Sequence, residues 1–311
     1  MMKTDEIGGQ LVEYIKKQGW QGTIVSITRV KDLETEIEDR HKKGLLDPVL
    51  FDEYLASFDF ACEHRLANAR SLIVVGVPQP QVKVIFEMGQ RSVPVMIPPT
   101  YAFSIDQQVS ARLDSFLSST AYHFEKVRLP EKLLAVRSGL ARYGKNNISY
   151  IPDLGSFYRP VVYVSDIPCE ADGWREPSVM TECETCTACA KACPTNAIST
   201  DRFQLHAERC LTYCNESTRD FPDWLSSAGH NSLVGCMICQ KVCPANKTVV
   251  KWIEAGERFN ANETELILGG TSKELLPRAT VEKISRQDLL EYYDVLGRNL
   301  KALITRSNKD V

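Results

Sequence analysis

The apolar positions of the first 30 residues change period once. Leu11, Val12, Ile15 and Trp20 fall near one face of a helix over residues 10–20, which Gly19 and Gly22 close. Thr23-Ile24-Val25-Ser26-Ile27 then reads as a strand. Residues 31–70 are charged, with apolar residues at helical spacing that include Leu50, Phe51, Tyr54, Leu55 and Phe58. Residues 71–78 are short in run, β-branched and stopped by proline, so they predict a buried strand. A second strand, at 82–86, sits among the Pro- and Gly-rich turns of residues 78–100. Helical spacing returns at Val109, Leu113, Phe116 and Leu117, another helix fits 130–143, and Tyr163-Val164 lies in a strand that leads to a turn at Asp166-Ile167-Pro168. Strands alternating with helices predict an α/β (α+β) N-terminal domain over residues 1–165.

Beyond that point the periodicity fades until about residue 251. A helical tail, 251–311, then sets Leu289, Leu290, Tyr293, Leu296, Leu300 and Leu303 in one stripe, which reads as a docking surface. Cysteine explains the interval between. Nine of the eleven cysteines lie between 183 and 243, beginning with Cys183-x-x-Cys186-x-x-Cys189-x-x-x-Cys193-Pro194 and ending with Cys236-x-x-Cys239-x-x-x-Cys243-Pro244. Three thiolates at two-residue intervals reach one iron–sulfur cube from a single loop, and the fourth cysteine of such a string serves the other cube. Residues 166–250 are therefore expected to be a ferredoxin-like domain with two [4Fe-4S] clusters. One takes Cys183, Cys186, Cys189 and Cys243; the other takes Cys193, Cys236, Cys239 and either Cys210 or Cys214. Pro194 and Pro244 suit the first position of a helix. Zinc sites use sets of four without a third cysteine at the next step, and a disulfide framework belongs to short secreted chains.

Composition narrows the class. At 311 residues the chain has room for two domains, and its 43% apolar and 25% charged content is ordinary for a soluble protein. A net charge of -3 argues against a protein built mainly to bind nucleic acid, though it permits a local basic face. The start, Met1-Met2-Lys3-Thr4-Asp5-Glu6, lacks the pattern of a signal peptide. The run at 72–77 is too short to cross a bilayer, so no membrane partner is expected and the expected location is the cytoplasm. The five histidines form no ligand-spaced pair, and no phosphate loop or dinucleotide fingerprint is present.

The cysteine strings also carry a resemblance. Cys183-Glu184-Thr185-Cys186-Thr187-Ala188-Cys189, Arg209-Cys210-Leu211-Thr212-Tyr213 and Gly235-Cys236-Met237-Ile238-Cys239-Gln240-Lys241-Val242-Cys243-Pro244 resemble motifs of the epoxyqueuosine reductases. Ser138-Gly139-Leu140, Gly144-Lys145-Asn146 and Gly155-Ser156-Phe157 keep the family's spacing, so the likeness runs from about 130 to 250. It implies Cys210 as the remaining ligand, with Cys214 a spare thiol; Cys62 and Cys169 are core or surface thiols. It implies a cobalamin (corrinoid) in the N-terminal domain, approached by Lys145, Asn146 and Thr212. Electrons would come from an external low-potential donor, and the product would be queuosine in a tRNA anticodon.

The family's proton-donating acid aligns with Glu125, where Arg128 replaces an expected proline. The alternative for Glu125 is a solvated carboxylate beside Lys126, and for Gly144-Lys145-Asn146 a helix stop. The apolar segment 95–101 stands where the family is rich in arginine, and the helical repeats of longer members are not seen. Two rival readings remain beside a corrinoid-dependent reductase. One is an activator that reduces the corrinoid of a partner protein; the other is a plain two-cluster electron carrier.

Overall fold

Residues Ser71–Pro78 form a strand buried along its length except at the final proline, and the first of two units is laid out around it. The computed structural model describes residues 7–307; the polar start read above lies outside the described residues. The two units are Met1–Pro78 with Ser104–Cys186, and Gln79–Phe103 with Thr187–Val311.

The first unit begins with α1 (Ile7–Lys17), β1 (Gln21–Ser26), α2 (Arg29–Lys42) and a single turn, α3 (Pro48–Leu50), before β2 (Ser71–Pro78). The helical spacing of 50–58 becomes only that turn and a π-helical one, Phe51–Leu55. After the hairpin β3 (Gln81–Met88) and β4 (Arg91–Ile97), which belongs to the second unit, come α4 (Ser104–Leu117), β5 (Phe124–Lys126) and α5 (Glu131–Arg137). The unit ends with the small hairpin β6 (Arg142–Tyr143) and β7 (Ser149–Tyr150), then β8 (Tyr158–Ser165). Its sheet has the order β1-β2-β8-β5 with every pair antiparallel, so the fold is of the α+β kind. Leu11 and Ile15 of α1 and Val109 and Leu113 of α4 cover Ile73, Val75 and Val161 on one face. Strand alternation turns Leu72 and Val74 to the other face, and α5 packs on β2 and β8. The helix expected over 130–143 stops at Arg137, because Gly139 takes a φ of 79° that residues with a side chain resist.

Asp106 and Arg159 form a buried ionic pair in this unit. Asp106 of α4 accepts from Arg159 Nε at 2.7 Å and Nη2 at 2.8 Å, pairs with Lys126, and takes a bond from the Tyr163 hydroxyl on its carbonyl at 2.7 Å. Asp106 is 6% exposed and Arg159 8%. Burial pushes the neighbouring Glu131 carboxyl up to about 7, against the pull of Arg159.

In the second unit, β9 (Ile253–Phe259) lies parallel to β3, giving the order β4-β3-β9. Strand β4 overlaps only the start, 95–97, of the apolar segment 95–101, and no element was expected over its range. Its Pro94 is tolerated because β4 is an edge strand. The rings of Phe86 and Phe259 stack with centroids 4.8 Å apart. Short helices α6 (Ala188–Ala192), α7 (Leu211–Glu216) and α8 (Ile238–Lys241) carry Cys189, Cys214 and Cys239. The chain closes with α9 (Ala261–Leu268), α10 (Arg278–Arg286) and α11 (Tyr293–Ser307). A capping box starts α9: Asn260 Oδ1 accepts from Glu263 N at 2.9 Å, and Glu263 Oε2 from Asn260 N at 2.8 Å.

Two sequence expectations change here. The tail begins with a strand, and its leucine stripe is core. Leu289, Leu296, Leu300 and Leu303 are buried with Val84, Phe86, Val95 and Ile97 of the β3–β4 hairpin. The compact units therefore do not coincide with the division at 165 and 250. Leu300 is fully buried, so Leu300→Ala should cost about 2–5 kcal/mol, measured by denaturant unfolding of the anaerobic protein.

Candidate metal centre

The cysteine strings fold into loops and single turns rather than long helices, so their thiols are placed by short-range backbone geometry. Cys193 follows α6, with its neighbour Pro194 opening a turn closed by Asn196 N on the Cys193 carbonyl at 3.3 Å. The helix expected after Pro194 does not form. Pro244 does open a short 3-10 turn, Pro244–Asn246.

The structure brings Cys193, Cys210 and Cys236 together from three separate segments of the second unit. Burial pushes the Cys210 thiol up to about 11, and the nearby Cys236 and Cys193 add to the rise while Thr212 opposes it by hydrogen bonding. Burial likewise raises Cys236, with Cys193 contributing. Several N–H groups point at these sulfurs. Ala197 N lies 3.3 Å from Cys193 Sγ and Asn231 Nδ2 3.2 Å from Cys236 Sγ. Cys239 lies on α8 beside them in sequence. Burial raises the Cys214 thiol and Arg298 lowers it. The set suits an iron–sulfur cube, being thiols with N–H donors to the sulfurs. Among the described residues no three His, Cys, Asp or Glu side chains converge as on a single metal ion. Of the other string, Cys183 and Cys186 end the first unit, and Cys189 and Cys243 belong to the second.

The residues expected to approach a corrinoid are already engaged. Gly144-Lys145-Asn146 is the turn of the β6–β7 hairpin rather than a helix stop. Lys145 Nζ donates to the Cys186 carbonyl at 3.0 Å. Asn146 is buried, with Nδ2 on the Tyr150 hydroxyl at 2.8 Å and Oδ1 accepting from Ile148 N at 3.3 Å. Thr212 bonds the Cys210 thiol. Glu125 lies on the edge strand β5 opposite Val164 and is exposed, while its neighbour Lys126 reaches in to Asp106.

Comparison with known proteins follows the same lines. Residues 182–246 match the 4Fe-4S double cluster binding domain. An epoxyqueuosine reductase of Leadbetterella byssophila is 35% identical over 117 residues, 37% of this chain and 37% of that protein. One of Bacillus subtilis is 34% identical over 119 residues, 38% of this chain and 30% of the relative. The chain is similar to the epoxyqueuosine reductases. The aligned stretch spans only 30–37% of these relatives' length, but the fold is shared more widely. A solved epoxyqueuosine reductase from Bacillus subtilis superposes with a TM-score of 0.69 over 98% of this chain and 82% of its own, at 20% identity. Another, solved with an epoxyqueuosine-modified tRNA-Tyr stem loop, gives 0.67 over the same shares. Among the described residues no helix is long and apolar enough to cross a membrane.

Sequence reading missed the residues that support the centre. Tyr101 donates a hydrogen bond to Glu216, the last residue of α7. Its ring fills the space beside Gly235, where a Cβ would stand 2.4 Å from the hydroxyl; Gly235 also takes a φ of 62°. Any larger residue beside Cys236 would push the ring away. Burial raises Glu216 to about 7, with the Tyr101 bond pulling the other way. A carboxyl raised on folding holds its proton more tightly in the native state, so its stabilisation is complete at acid pH and is lost as pH rises from about 4.3 to about 7. Glu216→Gln should therefore gain stability relative to the parent through that window, by up to about 1.4 kcal/mol per pH unit, in unfolding titrations at stepped pH. A parallel pair of curves would show that water reaches the carboxyl.

Proposed function

We propose that the chain is a cytoplasmic iron–sulfur oxidoreductase that takes electrons singly from an external low-potential donor and uses two [4Fe-4S] clusters to feed a corrinoid-dependent reduction. One observation carries the reading: all eight cysteines assigned to the clusters lie inside residues 182–246, the segment that matches a double-cluster domain. One cluster would be held by Cys183, Cys186, Cys189 and Cys243, and the other by Cys193, Cys210, Cys236 and Cys239. Residues 1–165 would hold the corrinoid and 166–250 the clusters, with 251–311 supporting them.

A bound corrinoid supplies a strongly reducing cobalt centre suited to electrophilic carbon, and the protein supplies orientation and electrostatics. Lys145 spends one of its three N–H donors on Cys186 and has two for a ligand. The engaged amide of Asn146 stiffens the turn that presents Lys145. Thr212 acts through the Cys210 sulfur. The relatives' names suggest the substrate class, epoxyqueuosine in a tRNA.

Protein purified anaerobically with cobalamin added should shift the corrinoid absorption spectrum; an unshifted spectrum removes the corrinoid. Turnover of an epoxyqueuosine-bearing stem loop then tests the substrate. The exposure of Glu125 favours one second reading, an activator that reduces the corrinoid of a partner protein, since a proton donor works best away from water. If Glu125 is the acid, Glu125→Gln lowers turnover about 10²–10⁴-fold with the corrinoid still bound. Equal turnover assigns it to the surface.

A further inference from the structure

We propose that Asn231 sets the reduction potential of the cluster on Cys193, Cys210, Cys236 and Cys239 by holding an amide N–H against the Cys236 sulfur. The inference rests on the ligand assignment made above. Asn231 is not a ligand, yet both ends of its carboxamide are committed. Its Nδ2 lies 3.2 Å from Cys236 Sγ and 3.1 Å from the Gly229 carbonyl. Its Oδ1 accepts from Met237 N at 2.8 Å and from the Ser232 hydroxyl at 3.1 Å. A planar amide anchored at both ends cannot rotate its N–H off the sulfur.

The loop that carries it is held from behind by α11. Asn299 Nδ2 donates to the Leu233 carbonyl at 2.9 Å and Arg306 Nη1 to the His230 carbonyl at 2.6 Å. This is the kind of outer support that fixes a ligand's electronic properties.

The direction of the effect follows from charge. When the cluster takes one electron from the external donor, its sulfurs become more negative. A fixed donor stabilises that reduced form more than the oxidised one and raises the potential. Main-chain donors, such as Ala197 N on Cys193, survive any side-chain substitution. Asn231 is a side chain at which the potential can be changed while all four thiols stay. Thr212 on Cys210 is a second.

The test is an anaerobic redox titration of the full chain followed by electron paramagnetic resonance. The unsubstituted protein must first show two clusters and about eight irons; failure there removes the ligand assignment, before any variant is compared. Asn231→Asp keeps the acceptor for Met237 N but loses the N–H and adds a negative charge. With iron retained, one cluster should become about tenfold harder to reduce, a fall of about 59 mV for a one-electron couple, while the other does not move. Should Asn231→Asp lose iron, Asn231→Ala removes the donor without adding charge and must shift the same cluster the same way. An unmoved potential in a variant with full iron overturns the proposal, as does loss of a cluster in both variants.

Discussion

Replacing Cys236 by alanine should lower the iron of the anaerobically reconstituted protein from about eight to about four per chain, with one of two paramagnetic signals lost on reduction. Three observations set this expectation. Cys236 is close enough to the Cys210 thiol to push it up, as Cys193 also does. It takes N–H bonds from the Ile238 backbone and from Asn231. It also opens the loop whose next cysteine, Cys239, is the remaining thiol of the set. Cys214→Ala is the matched control. Cys214 lies near Arg298 and is not among the eight assigned ligands, so iron should stay near eight. The opposite pair of results, iron kept without Cys236 and lost without Cys214, would reassign the ligands.

Asp106→Ala should cost about 3–5 kcal/mol. The aspartate receives both arms of Arg159, and both side chains are 9% exposed. Removing it takes from a buried guanidinium, which cannot shed its charge, the carboxylate that accepts from its Nε and Nη2. Lys126→Ala is expected to cost no more than about 1 kcal/mol, because that lysine is half exposed and Arg159 remains to pair with Asp106. Denaturant unfolding of both variants checks the difference. Equal small losses would mean that water enters beside Arg159.

The strongest periodic signals were legible in the sequence and the weakest were not. Residues 71–78 read as a buried strand and became one, since β-branched residues in a short run have few other ways to hide from water. The cysteine spacing pointed to paired clusters because thiolate geometry around a cube restricts the chain locally. Strand β4 was missed: Pro94 and the turn residues around it argue against a strand unless the strand is known to be an edge. The stripe on α11 was assigned to a docking surface because periodicity tells only that a face is apolar. What covers it, the β3–β4 hairpin, lies about 200 residues earlier in the chain. Tyr101, Glu216 and Asn231 carried no signal at all. A lone tyrosine, glutamate or asparagine acquires meaning only when folding sets it against another segment. Glu125 shows another limit: the sequence offered both an acid aligned with the family's and a solvated carboxylate beside Lys126, and its exposure on β5 became visible only in the fold.

The parallel pairing of β3 with β9 joins residues near 81 to residues near 253. On a ribosome, which releases the chain from its N-terminal end, the β3–β4 hairpin emerges long before the strand and helices that roof it. Val84, Phe86, Val95 and Ile97 must wait uncovered while both cysteine strings are made, a delay that invites aggregation. Because such distant contacts form slowly, iron delivery to a nascent chain stopped near residue 250 would load a module that still lacks its floor. Cluster insertion is thus expected to follow completion of translation rather than accompany it.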